Sequence, residues 1–312
     1  MNKKSILTIA LTVILCIAVI LALPTEISVK IEGSLPESGA VSSDAVVQTT
    51  QTPVTTTAAP QPTTQNIAEE VSDAVQNVAD KVETVVTGNP TGNKEIIEQY
   101  TLLVNKFKQE KPAYKKKEFQ TLPEEYRNLG TAGNLILEIA SGYITSEEEC
   151  EELVRAAGGE DIKWDMPIHN SDVGCLLTNY DAVEWAKCED VGDGTKKISF
   201  SLKEEMNCEP TPADTLVPVS NHGAVMQPLS RQSILDEVKK ITEKFPIITL
   251  NDFSLGYREC VFECVYNPDT NQVKSITHHV VIDINADLKV TLAKIAGSAR
   301  LYNDMKIYDI TW

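Results

Sequence analysis

The sequence predicts an α+β domain, a mainly antiparallel sheet with about three helices packed on one face, preceded by a transmembrane helix and a disordered stalk. Three observations carry that reading. Strand-like runs from residue 114 onward are joined by short turns rather than helical crossovers, which favours antiparallel pairing. Apolar residues recur at helical spacing in three separated places within that part of the chain. Ahead of them an apolar run gives way to a Thr/Pro-rich stretch without an aromatic residue.

Residues 1–24 read as an N-terminal membrane anchor. The run 6–23 carries no charge and is closed by Pro24, and its eighteen residues span roughly 27 Å as a helix, close to the hydrocarbon thickness of a bilayer. Lys3 and Lys4 precede it and no compact basic cluster follows, so the expected topology is a single-pass signal-anchor in the cell membrane, N-terminus cytoplasmic and the rest extracytoplasmic. A cleaved signal peptide ending near Ala22 is the alternative, and both readings export the domain. Val13, Ile14 and Leu15 before Cys16 do not form a lipoprotein box.

Residues 25–66 form the expected flexible stalk. Their core, 41–65, is dominated by Thr, Gln, Ala and Pro and buries too little apolar surface to offset its chain entropy. In residues 67–90 Val71, Val75, Val78, Val82 and Val85 mark a short heptad seam that ends before Gly88 and Pro90. Residues 67–86 are therefore a candidate homo-oligomer contact, or else a helix docked on its own domain or one only partly formed, since Val is a mediocre helix former.

Residues 91–312 form the extracytoplasmic α+β domain. Asn93 is placed to cap a helix that buries Ile96, Ile97, Tyr100, Leu103, Val104 and Phe107, with Pro112 after its end. Ser146 and Glu149 have capping-box spacing, which predicts a second helix with Cys150, Leu153, Val154 and Ala157 inward and Gly158 and Gly159 as its stop. A third starts near Ser230 or Ser233, buries Ile234, Leu235, Val238, Ile241 and Phe245, and stops at Pro246. Strands are expected at 114–120, 135–140, 175–178, 183–189, 196–203 and 247–253, with 191–194 as a hairpin turn. The runs 257–266, 272–284, 288–293 and 305–312 complete a terminal meander.

The segments VNKFKQEKPAYKK, GDGTKKISFSLKEE and ECVFECVYNPDTNQVKSITHHV resemble those of uncharacterised membrane-anchored extracytoplasmic proteins of Gram-positive bacteria. The layout is also similar to that of lipoprotein-type half-barrel carriers of apolar molecules. That resemblance implies a curved sheet with helices in its hollow. It implies no catalytic residue.

The formal charge of −17 disfavours nucleic acid and anionic lipid as partners. The basic run Lys106, Lys108, Lys111, Lys115, Lys116 and Lys117 reads as a solvated helix end and strand face. Of seven cysteines, six lie beyond the anchor, and their spacings match no zinc motif. Cys260 and Cys264, four apart on a strand, stand roughly 13 Å apart, too far to bond each other, and read as core residues beside Phe262 and Tyr266. Cys175 with Cys208 is the candidate disulfide, from continuation of the hairpin register. His278 and His279 are adjacent on a strand and face opposite ways. Asp165, His169 and Asp172 share a loop and are the remaining metal candidate. No phosphate loop, nucleophile elbow, HExxH helix or EF-hand loop is present, so no cofactor and no metal are expected.

Both faces of the meander carry bulky apolar groups. One face covers the helices, and the other must meet a further layer, a partner or a ligand. The expected ligand-binding residues are Val280, Ile282, Phe262 and Tyr266. The favoured function is a membrane-anchored binding module for an apolar ligand or an envelope partner. A structural or assembly protein of the envelope is the alternative, and a hydrolase or redox enzyme without a recognisable motif the third.

Overall fold

The computed structural model describes residues 90–127, 145–244, 248–290 and 293–312. The expected anchor, stalk, valine seam and strand at 135–140 lie outside them. Among the described residues no helix is long and apolar enough to cross a membrane.

The fold among the described residues is α+β: a mainly antiparallel curved sheet with three helices. Helix α1 (Asn93–Glu110) forms on the stripe read above, and all six of its expected core residues are buried. Gly92, not Asn93, occupies its capping position, and it ends at Lys111 in the left-handed conformation, whose N–H bonds the Phe107 carbonyl at 3.1 Å. Helix α2 (Ile162–Asp165) is a single turn. Helix α3 (Arg231–Lys244) starts where Ser230 Oγ accepts the Ser233 N–H at 3.1 Å.

The strands are β1 (Ala113–Thr121), β2 (Leu153–Arg155), β3 (Val183–Gly192), β4 (Thr195–Leu202), β5 (Glu205–Met206), β6 (Ile248–Tyr257), β7 (Val261–Asn267), β8 (Gln272–Val290) and β9 (Ala293–Thr311). Their main order is β2-β1-β9-β8-β7-β4-β3, with β6 paired to β8 and to β5. The long β8–β9 hairpin replaces the separate short strands expected at 288–293 and 305–312. Along the other edge of β8, β7 and β6 follow each other: Val261 pairs with His279 and Tyr257 with Ile282. They form one ribbon interrupted at residues 258–260, where Glu259 has a φ of 55°. The neighbouring β4 and β5 are interrupted at the matching level, residues 203–204. The two ladders thus break side by side, so the sheet is free to bend along one line there.

The region 146–159 departs from expectation. Ser146 and Glu149 do contact each other at 3.2 Å, but residues 147–149 form a turn and 153–155 become strand β2 on the edge of β1. Leu153 and Val154 are consequently exposed. Residues 147–149, 151 and 152 are all Glu, and like charges at i,i+4 oppose a helix, whereas pairing with β1 satisfies backbone groups. Residues 175–178 form no regular strand. Gly174 lies so close to α1 that a Cβ there would stand 2.9 Å from the Val104 carbonyl oxygen, while Asn105 Oδ1 accepts the Gly174 and Cys175 N–H groups at 2.7 and 3.0 Å.

Candidate functional site

Inward-facing residues lie in rows across the sheet. One row runs Lys116, Ile307, Ile276, Cys264, Ile198, and the next Glu118, Met305, His278, Phe262, Phe200. A third begins Gln120, Asn303, Val280, and Leu301 pairs with Ile282 beyond it. Helix α1 covers the apolar end of the first two rows: the Tyr100 ring meets Phe200 edge-on with centroids 4.8 Å apart. The β1 end stays uncovered by α1 and carries charge.

A cleft opens there, between β1, β9 and β8 on one side and the segments 165–169 and 226–229 on the other. Counted out to solvent its volume is about 560 Å³, and the space that admits the centre of a water molecule is about 40 Å³, so it is a narrow slot. Val280, Ile282, Leu301 and Met305 give it an apolar wall, continued by Met226 and Leu229. Lys116, Glu118, Gln120 and Asn303 give it a polar one.

The polar wall is a connected network. Lys116 Nζ pairs with Glu118 Oε2 at 2.9 Å and donates to the Asp165 carbonyl at 2.7 Å. Asn303 donates to Glu118 Oε1 at 3.3 Å and accepts from Gln120 at 2.8 Å. Burial, the largest single influence, raises the Glu118 carboxyl, but the Lys116 charge and the hydrogen bonds from Lys116 and Asn303 act together against it, and the group is held below the usual carboxylate range. Behind the cleft, the Asp165 carboxylate accepts from Tyr114 at 2.9 Å and from Arg155 Nε at 2.6 Å. His278 Nε2 shares a 2.8 Å hydrogen bond with the Tyr100 hydroxyl. Burial, reinforced by the Lys116 charge, lowers the His278 pKa to about 3, so the ring is neutral.

The chain was compared with protein-family models, curated proteins and solved structures. None matches. The site therefore rests on its own geometry.

Of the four residues expected to bind ligand, Val280 and Ile282 line the cleft. Phe262 and Tyr266 are not among its walls: Phe262 stacks on Phe200 at 5.1 Å, and Tyr266 faces Cys188. The candidate disulfide partners Cys175 and Cys208 carry free thiols with different neighbours, Thr101 Oγ1 at 3.3 Å and the Glu205 carbonyl at 3.7 Å. Cys260 and Cys264 are buried in the core. The loop trio is not assembled as a ligand set, since Asp165 pairs with Arg155 and Asp172 with Lys163.

The basic run is not wholly solvated. Lys116 is 4% exposed and Lys108 fully buried, its Nζ donating to the Met166 and Ile168 carbonyls at 3.2 and 2.8 Å. Burial lowers the Lys108 pKa to about 7, against the opposing pull of Asp172. Lys108 sits four residues after Val104 on the buried stripe, and Lys116 and Glu118 alternate in step with Tyr114. Those spacings were the available signal.

Proposed function

We propose that this chain is a membrane-anchored extracytoplasmic binding module whose cleft takes a slender amphipathic ligand. The carrying observation is the meeting of two unlike walls across one slot: Val280, Ile282 and Leu301 against Lys116, Glu118 and Asn303. An apolar tail gains by leaving water against the first wall, while a polar head exchanges hydrogen bonds with the second, whose ion pair already satisfies itself in the free protein. The narrow slot favours a single chain over a fused-ring body. This refines the expected apolar ligand into an amphipathic one and moves its contacts from Phe262 and Tyr266 toward Leu301 and Asn303.

The test is native mass spectrometry and solvent extraction of the full-length protein, followed by titration with a fluorescent single-chain fatty acid. A co-purifying single-chain amphiphile, or saturable probe binding weakened about tenfold or more by Val280→Asp, is the expected result. No bound molecule together with probe binding that is non-saturable, or unchanged in Val280→Asp, would overturn it.

A further inference from the structure

Glu205 opens β5, Cys208 follows its end, and His222 begins the 3-10 turn His222–Ala224. The interruption between β4 and β5 and that turn bring the three side chains together, with one oxygen, sulfur and nitrogen all within 4.8 Å of one another. Cys208 and His222 are buried, whereas Glu205 keeps one side open to solvent.

Glu205 is firmly oriented. Its Oε2 accepts the His222 backbone N–H at 3.0 Å and pairs with His222 Nδ1 at 3.0 Å, and its Oε1 accepts the Asn221 backbone N–H at 3.1 Å. The turn carrying His222 is equally fixed, since a Cβ on Gly223 would lie 2.3 Å from the Glu209 carbonyl oxygen. Yet His222 Nε2, shut off from solvent, has no hydrogen-bond partner. The ring atom that faces Glu205, and so stands in the cluster, is Nδ1.

We propose that Glu205, Cys208 and His222 form a binding site for a zinc-class divalent cation. One thiolate, one imidazole and one carboxylate make the borderline-soft donor set that such ions take, while calcium and magnesium require mainly oxygen. Tetrahedral coordination at about 2.0–2.3 Å sets donor atoms roughly 3.3–3.8 Å apart, within a small side-chain adjustment of the present cluster. Charge closes as well: the Glu205 carboxylate and a Cys208 thiolate neutralise a dication, so no net charge is left in the buried pocket. On binding, the Cys208 thiol proton leaves to solvent, the neutral His222 ring carries its proton on Nε2 and donates the Nδ1 lone pair to the ion, and the open side of Glu205 leaves a fourth position for water. The backbone N–H groups on Glu205 act as its orienting outer shell.

The experiment uses the reduced, metal-stripped full-length protein and Co²⁺ as a spectroscopic stand-in for Zn²⁺. Expected are one equivalent bound per chain, visible bands of tetrahedral cobalt, a sulfur-to-cobalt charge-transfer band, and loss of both on adding Zn²⁺. Cys208→Ser abolishes the charge-transfer band, Glu205→Gln weakens affinity about tenfold or more, and Cys150→Ser changes nothing. Circular dichroism separates ligand loss from unfolding. Should Cys208→Ser not fold, X-ray absorption of the zinc-loaded parent decides, with one sulfur and mixed nitrogen and oxygen neighbours expected. A missing charge-transfer band, a band that survives in folded Cys208→Ser, or a zinc shell without sulfur overturns the site.

Discussion

Lys116→Met should destabilise the protein through the group it leaves behind. Lys116 and Glu118 form an ion pair at 2.9 Å on the inner face of β1, and Lys116 is almost fully buried. Removing one partner of a buried pair costs about 3–5 kcal/mol. Glu118 retains Asn303 as a donor and borders the cleft, so the lower end, about 3 kcal/mol, applies. For a domain of this size that corresponds to a fall in Tm of roughly 6–12 °C. The double variant Lys116→Met/Glu118→Gln should recover about 2 kcal/mol, because the uncompensated charge is gone. Recovery is incomplete, as the bond from Lys116 to the Asp165 carbonyl is lost in both. The pH dependence has a definite sign. In the parent, the depressed Glu118 carboxyl contributes stability above its unfolded pKa of about 4.3, lost as pH falls through the lower folded value. Without Lys116, burial dominates and raises that carboxyl, so the deficit of the single variant is largest near neutrality and shrinks on acidification. Urea titrations of the three proteins at several pH values measure all of this. A single-variant cost below about 1 kcal/mol, or a double variant no more stable than the single, would refute the buried-charge reasoning.

His278→Gln removes a buried group that stays neutral down to about pH 3 in the folded state. The unfolded chain binds that proton below about 6.5, so the parent loses stability as pH falls between the two values, at up to about 1.4 kcal/mol per pH unit. The variant should show a flatter stability profile there, read by denaturation across pH; parallel profiles would contradict the neutral ring. Gly174→Ala should lower stability by about 1–3 kcal/mol, because its Cβ meets the Val104 backbone at 2.9 and 3.1 Å. An unchanged denaturation midpoint would mean that the 173–175 segment is not held against α1.

Much of the fold was legible where one periodicity acted alone. The α1 stripe, the alternation of Phe262, Cys264 and Tyr266, and the opposed faces of His278 and His279 all follow from spacing. The helix expected at 146–159 failed because its cap was read without weighing the glutamates that follow, or the free edge of β1 that captures residues 153–155. The cleft was half visible. Val280 and Ile282 follow from alternation, but Lys116 and Glu118 were hidden by their type: charges on a short strand read as solvated until a partner is known. That partner surface is β9, nearly two hundred residues along the chain, where Glu118 pairs with Met305. The cluster of Glu205, Cys208 and His222 was invisible because a loop, not a repeat, assembles it.

The β8–β9 hairpin also dictates the order of events in folding. Residues 272–311 form the middle of the sheet, and β1, β6 and β7 each find their inner neighbour there. A ribosome therefore delivers β1 long before the spine, whereas β6 and β7 directly precede it. Until β9 emerges, β1 has no inner neighbour, Lys116 faces no closed cleft, and α1 lacks part of the surface it covers. Pairing of β1 with β9 is a distant contact, and contacts of that kind slow folding.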